Sequence, residues 1–225
     1  MEEIKTILTI AIGISLVNNM VLARFLGLCP FIGVTRRTSD AVGMGFAVMF
    51  VMTLASFVTS LLYKFVLTAP ADGGFNLLVA LGVVREMPAG GYVLVLKTIS
   101  YILVIAVLVQ FVEMVLRKSV PVLYKALGIY LPLITTNCAV MGVALLGTSD
   151  WKYPDHPLSV AQTTWMGFCG GVGFTLAMIL MSGIRERLAT SRVPKALQNV
   201  PIAFISTGLM ALAFLGFGKM FGIAL

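Results

Sequence analysis

Long apolar stretches dominate the chain and restrict what it can fold into. Each is close to the roughly 20 residues that a helix needs to cross the hydrocarbon core of a bilayer. Six of them can be distinguished, over residues 4–23, 41–66, 92–116, 120–146, 160–184 and 200–224. Polar or glycine- and proline-rich connections separate them, and the connection over residues 68–91, which is predicted to be external, is long. The sequence therefore predicts an all-α integral membrane protein with six transmembrane helices in a single membrane domain, residues 1–225.

The composition agrees with a membrane protein and excludes a soluble globule. Apolar residues make up 59% of the chain and charged residues only 11%, whereas soluble domains contain roughly 25% charged residues. So few charges cannot cover a water-exposed surface. The three cysteines are also too few for a disulfide framework.

The predicted topology places the net charge of +7 on one side of the membrane. Nine basic and two acidic residues accompany the loops after the first, third and fifth spans, whereas the opposite side has six of each. Cytoplasmic loops of membrane proteins are enriched in lysine and arginine, so these three loops are predicted to be cytoplasmic and both termini outside. Topology thereby explains the basic excess, and nucleic acid is not a predicted partner.

A short internal repeat relates the second span to the fifth. Residues 44–55 match residues 166–177 at six of twelve positions, with an offset of 122. A repeat of three spans reverses the membrane orientation of its second copy, which predicts an inverted 3+3 repeat, about 1–118 and about 119–225. In such folds the working site lies where the repeats meet, on broken helices.

The first and fourth spans each contain one cysteine beside residues that interrupt helices. Cys29 precedes Pro30, and Cys138 follows Asn137. In straight helices these thiols would lie about 37 Å and about 27 Å along their spans, on opposite sides of the membrane. If helices one and four are broken, both thiols reach the repeat interface. The sequence leaves two interpretations open: a pair of metal ligands, or two small apolar side chains.

Two thiolates are too few for a metal centre, because iron–sulfur clusters and structural zinc use four protein ligands. His156 lies in a predicted external loop, and Cys169 aligns with Ala47 of the repeat, where close packing is its expected role. If Cys29 and Cys138 bind metal, we therefore expect the remaining ligands to come from another chain.

The cysteine segments resemble those of the A subunits of Rnf complexes, the ion-translocating ferredoxin:NAD⁺ oxidoreductases. The resemblance is seen in LGLCPF, residues 26–31, and LPLITTNCAV, residues 131–140, and further matches lie at residues 109–114, 183–188 and 206–212. It covers nearly the whole chain. It implies six helices in an inverted repeat and, as partner, a homologous E subunit of opposite orientation. It also implies a [2Fe–2S] cluster inside the membrane, with two ligands from this chain, Cys29 and Cys138, and two from the partner.

The resemblance also implies a function in the prokaryotic cytoplasmic (inner) membrane. The cluster would relay electrons between ferredoxin-side iron–sulfur centres and flavins on other membrane subunits, coupled to Na⁺ or H⁺ transport. This chain would not be catalytic alone, and it lacks the Ser/Thr-Gly-Ala-Thr segment that carries covalent flavin in those subunits. Two rival functions stay open: a small-solute or ion transporter with two re-entrant segments and incidental cysteines, and a metal-free assembly scaffold.

Several other polar residues have two interpretations each. Glu113 precedes Arg117 by four residues, which suits a helical ion pair, but intramembrane acids also line ion paths, so Glu113 is a candidate for ion coupling. Five polar side chains lie close to the two cysteines in sequence: Asn18, Asn19, Thr135, Thr136 and Asn137. They either donate hydrogen bonds to the sulfur atoms of a cluster or satisfy backbone groups where the helices break.

Overall fold

The computed structural model of the protein describes residues 2–63, 92–119, 137–148, 159–194 and 197–220. All regular secondary structure in these ranges is helical, which confirms the predicted all-α class. A π-helical turn, Gly13–Val17, continues the first helix. The α-helices are α1 (Glu2–Ile12), α2 (Leu28–Val34), α3 (Thr38–Leu62), α4 (Tyr92–Ser119), α5 (Cys138–Thr148), α6 (Val160–Thr190) and α7 (Val200–Met220).

Two of the helices are long and apolar enough to cross a membrane, α3 with 25 residues and α6 with 31. They overlap the predicted second and fifth spans. Shorter apolar helical runs, of 10–17 residues, lie over residues 7–17, 98–111, 138–147 and 200–216. The predicted external connection 68–91 and the first part of the predicted fourth span, 120–136, lie outside the described residues.

Helices α3 and α6 form the centre of the core. They run antiparallel, because Gly45 lies against Thr175 while Gly171, earlier in α6, lies against Met49, later in α3. A Cβ atom on Gly171 would lie 2.6 Å from the Cα atom of Met49. Only glycine permits so close an approach of two backbones, and small residues at such crossings are typical of membrane helices.

The helices around this pair are packed on one side and exposed on the other. A Cβ atom on Gly170 would lie 3.2 Å from Val143 of α5 and 3.5 Å from Ile14 of the π-helical turn, so both elements contact α6. Large apolar side chains are exposed on the outer faces of α3, α4 and α7, where a membrane would solvate them. They include Phe46, Phe50, Leu103, Phe111, Leu209 and Leu212.

Candidate functional site

The chain leaves the helical conformation between α1 and α2, over residues 18–27. Two residues there have positive φ, 55° at Phe25 and 83° at Gly27, a region that side chains with a Cβ rarely adopt. Leu26 N–H donates to the carbonyl of Met20 at 2.8 Å, which closes the turn. Gly27 is the residue immediately before α2, so the turn sets the direction in which the helix carrying Cys29 begins.

Both polar atoms of the Asn19 side chain form hydrogen bonds that hold this non-helical segment in place. Its Oδ1 atom accepts hydrogen bonds from the backbone N–H groups of Val21, at 3.0 Å, and Leu22, at 3.4 Å. Its Nδ2 atom donates to the carbonyls of Ser15, at 3.1 Å, and Gly173, at 2.8 Å. Both amide hydrogens are thereby used by backbone acceptors. Of the two predicted roles, Asn19 has the structural one, satisfying the backbone at a helix break and fastening it to α6.

Both predicted cysteine ligands are exposed at the start of a helix. Cys29 is the second residue of α2 and Cys138 the first residue of α5. Before α5, Asn137 acts as the helix cap, because its Oδ1 atom accepts the N–H of Ala139 at 3.0 Å. Asparagine is among the preferred residues at this position. Cys169, in contrast, is buried within α6.

The two cysteine segments meet, although they are distant in sequence. A Cβ atom on Gly27 would lie 2.8 Å from Oδ1 of Asn137 and 3.1 Å from Cβ of Ala139. Gly27 is two residues before Cys29, and Asn137 and Ala139 flank Cys138. The turn before α2 is therefore packed directly on the first turn of α5.

Asn137 also has a buried donor beside this contact. The residue is 4% exposed, and its Nδ2 atom has no hydrogen-bond partner among the described residues. A buried amide N–H without an acceptor costs about 1–3 kcal/mol. A hydrogen bond from this Nδ2 atom to an acceptor outside the described residues would therefore be favourable. Thr135 and Thr136, for which the same two roles were predicted as for Asn137, lie outside the described residues.

Arg185 holds the other end of α2, a contact that the sequence alone did not indicate. Its Nη1 atom donates to the carbonyl of Ile32 at 2.6 Å and to Oγ1 of Thr35 at 3.0 Å. Basic side chains commonly satisfy the last carbonyls of a helix in this way. From the sequence, Arg185 is predicted only to be one of the basic residues of a cytoplasmic loop, because no feature of its neighbours distinguishes it from the other arginines there.

The other residues considered in the sequence analysis are Glu113, Arg117 and His156. Glu113 is half-buried on α4, beside the exposed Met114. The side chain of its predicted ion-pair partner Arg117 is outside the described part of the structure, as is His156. Within the described ranges, no group of three or more His, Cys, Asp or Glu side chains surrounds a common point.

Comparison with known proteins gives one consistent family. The family model described as "Rnf-Nqr subunit, membrane protein" matches residues 7–221. The A subunit of the Na(+)-translocating ferredoxin:NAD(+) oxidoreductase complex of Acetobacterium woodii is 48% identical over 215 residues, 96% of this chain and 98% of the relative.

Two further relatives are described as A subunits of ion-translocating oxidoreductase complexes. The one from Syntrophotalea carbinolica is 50% identical over 216 residues, 96% of this chain and 98% of its own. The one from Rhodobacter capsulatus is 47% identical over 213 residues, 95% of this chain and 96% of its own. These matches confirm the resemblance predicted from the cysteine segments, and the chain belongs to the Rnf-Nqr family of membrane subunits.

Proposed function

We propose that the chain is the A-type membrane subunit of an ion-translocating ferredoxin:NAD⁺ oxidoreductase. In this function it carries electrons through the membrane on a [2Fe–2S] cluster that it shares with a homologous partner subunit. The names of relatives at 47–50% identity support the complex. The observation that supports the cluster is the contact between Gly27 and Asn137, which joins the two segments that bear Cys29 and Cys138.

The donor set on these segments fits an iron–sulfur cluster better than another metal. Thiolates are the usual ligands of [2Fe–2S] clusters, which need four of them, and two exposed cysteines here supply half. Their exposure leaves both thiols accessible to a second chain. The buried Nδ2 atom of Asn137 is a donor of the kind that stabilises cluster sulfurs. When bound, the cluster would accept and release one electron at a time.

A shared centre inside the membrane requires breaks in the helices, and we propose the inverted six-span repeat as the architecture that provides them. The packing of α3 on α6 supports it. Met49 and Gly171 occupy equivalent positions of the repeat, at the offset of 122, and they contact each other. An approximate two-fold axis through this contact would exchange the two helices, which is the relation expected between inverted repeats.

The distribution of charge supports a location in the cytoplasmic membrane with both termini outside. On the proposed cytoplasmic side are Arg36 and Arg37, before α3, and Arg185, Arg187 and Arg192, at the end of α6. Basic residues are enriched on this side of membrane proteins. Cytoplasmic donors would then approach the face where α2 ends, and the cysteine segments lie further into the membrane.

Iron content and EPR spectra of the complex test the proposal directly. The chain is co-expressed with its homologous partner, and the complex of these two subunits is purified without the other iron–sulfur subunits and without reconstitution. We expect iron and acid-labile sulfide in equal amounts and a rhombic EPR signal on reduction. A complex that transfers electrons from ferredoxin to NAD⁺ without iron assigned to this subunit pair would contradict the shared cluster.

Substitution of Asn137 by serine should lower the reduction potential of the cluster. Serine retains a side-chain oxygen that caps α5, but it removes the amide donor. Loss of one hydrogen bond to sulfur should lower the midpoint potential by about 40 mV, the one-electron equivalent of roughly 1 kcal/mol. Redox titration followed by EPR measures the shift, with iron content as the control for assembly. An unchanged potential at full iron content would rule out this role for Asn137.

Substitution of Glu113 by glutamine distinguishes ion coupling from a helical ion pair. If the carboxylate lines the ion path, we expect ferredoxin:NAD⁺ electron transfer to continue while ion transport into vesicles falls to background. The matched control is Asp40→Asn, which removes an acid in the first turn of α3. Ion transport that is unchanged in Glu113→Gln would instead assign Glu113 to the interfacial pair with Arg117.

A further inference from the structure

A polar cavity lies at the proposed cytoplasmic end of α6, where Arg185 also contacts the end of α2. Its volume of about 430 Å³ is within the range of small-molecule sites, roughly 300–1,000 Å³. It opens between the end of α6, the start of α7 and the turn before α3. The side chains that define its chemistry are Arg36, Arg185, Ser191, Gln198 and Asn199.

The cavity is cationic, and one of its two arginines is held in place. Arg185 is fixed by its hydrogen bonds to Ile32 and Thr35. No acidic side chain is among the described residues that line the cavity. The adjacent Glu186 is engaged elsewhere, since its Oε1 atom accepts hydrogen bonds from N–H and Oγ1 of Thr38 at 3.0 Å and 2.6 Å. Two guanidinium groups therefore face one opening without a carboxylate among its described lining residues.

The cavity also lies at the boundary of the exposed apolar surface. On α6, exposed large apolar side chains continue as far as Leu180, five residues before Arg185. On α7 they begin again at Val200 and continue through Phe204 and Ile205. A lipid with its acyl chains along these faces would have its headgroup at the level of the cavity. Basic pockets between membrane helices on the cytoplasmic side are suited to acidic lipid headgroups.

We propose that this cavity binds the phosphate group of an anionic phospholipid, with Arg36 and Arg185 as its cationic partners. Guanidinium groups form paired hydrogen bonds with phosphate oxygens. The amide of Gln198 donates one hydrogen to the carbonyl of Val193 and has a second hydrogen that a phosphate oxygen would accept. The apolar faces beside the cavity favour a lipid over a soluble phosphate, because acyl chains would bury surface that a free anion leaves exposed. The inference uses the proposed membrane orientation but not the iron–sulfur cluster.

Lipid titration of the purified complex tests the site. Native mass spectrometry measures binding of dioctanoyl phosphatidylglycerol, dioctanoyl phosphatidylcholine and inorganic phosphate to the wild type, Arg36→Gln and Arg37→Gln. Arg37 is the matched control because it is exposed and is not among the lining residues. We expect Arg36→Gln to weaken phosphatidylglycerol binding about fivefold, the contribution of one basic residue at an anionic surface. Arg37→Gln should bind like the wild type, and phosphatidylcholine should not saturate.

A second pair of variants tests the cavity without removing a charge. Ala189→Trp fills the lined volume, whereas Thr190→Trp places the same ring at an exposed position outside the lining. We expect only Ala189→Trp to abolish saturable binding of phosphatidylglycerol. Equal weakening in Arg36→Gln and Arg37→Gln would overturn the site in favour of diffuse surface charge. Inorganic phosphate that binds as tightly as phosphatidylglycerol would overturn the lipid as ligand, and the EPR signal of each variant reports the cluster separately.

Discussion

Replacing either Cys29 or Cys138 by serine should abolish the [2Fe–2S] EPR signal of the assembled complex. Each thiol is exposed at the beginning of a helix, and each would supply one of only four ligands. A serine hydroxyl has nearly the size of the thiol but is a hard oxygen donor, which binds iron–sulfur clusters poorly. Since substitutions outside the ligand shell already lower metal affinity about 10–100-fold, we expect at least that loss for a direct ligand.

The third cysteine provides the matched control for this experiment. Cys169 is buried in α6 and aligns with Ala47 in the repeat, so Cys169→Ala removes a thiol without introducing a buried hydroxyl. Its complex should retain iron, the EPR signal and electron transfer. A transporter with incidental cysteines would tolerate Cys29→Ser and Cys138→Ser together. An undiminished signal in either serine variant would therefore refute the assignment of that cysteine.

The sequence predicted the helical class and the two long apolar helices α3 and α6, because these depend on local composition. The extended apolar run around α3 is visible without any tertiary contact, whereas the role of Cys29 and Cys138 as metal ligands stays a prediction. The repeat was also visible locally, since residues 44–55 and 166–177 match at a constant offset.

The packing of the site was not predictable in the same way. The turn before α2 depends on positive φ at Gly27, and glycine is frequent throughout this chain, so its presence alone indicated little. The contact of Gly27 with Asn137 joins distant segments and requires the packed fold. Arg185 illustrates the same limit, because its hydrogen bond to Ile32 is set by the approach of α6 to α2 rather than by neighbouring residues.

Substitution of Gly171 by leucine should disrupt the central helix crossing and reduce the amount of assembled complex. Its Cβ atom would lie 2.6 Å from Cα of Met49, and a backbone atom cannot move aside as the end of a flexible side chain can. Overpacking of a core typically costs 1–3 kcal/mol, and we expect a loss of about 3 kcal/mol here because the contacted atom belongs to the backbone. The thermal midpoint of the purified complex and its yield in the membrane measure the effect.

Gly183 is the matched control on the same helix, because a Cβ atom placed there would have no neighbour within 4 Å. Gly183→Leu should leave both yield and thermal midpoint close to those of the wild type. A comparable loss in both variants would attribute the effect to added apolar volume rather than to the crossing.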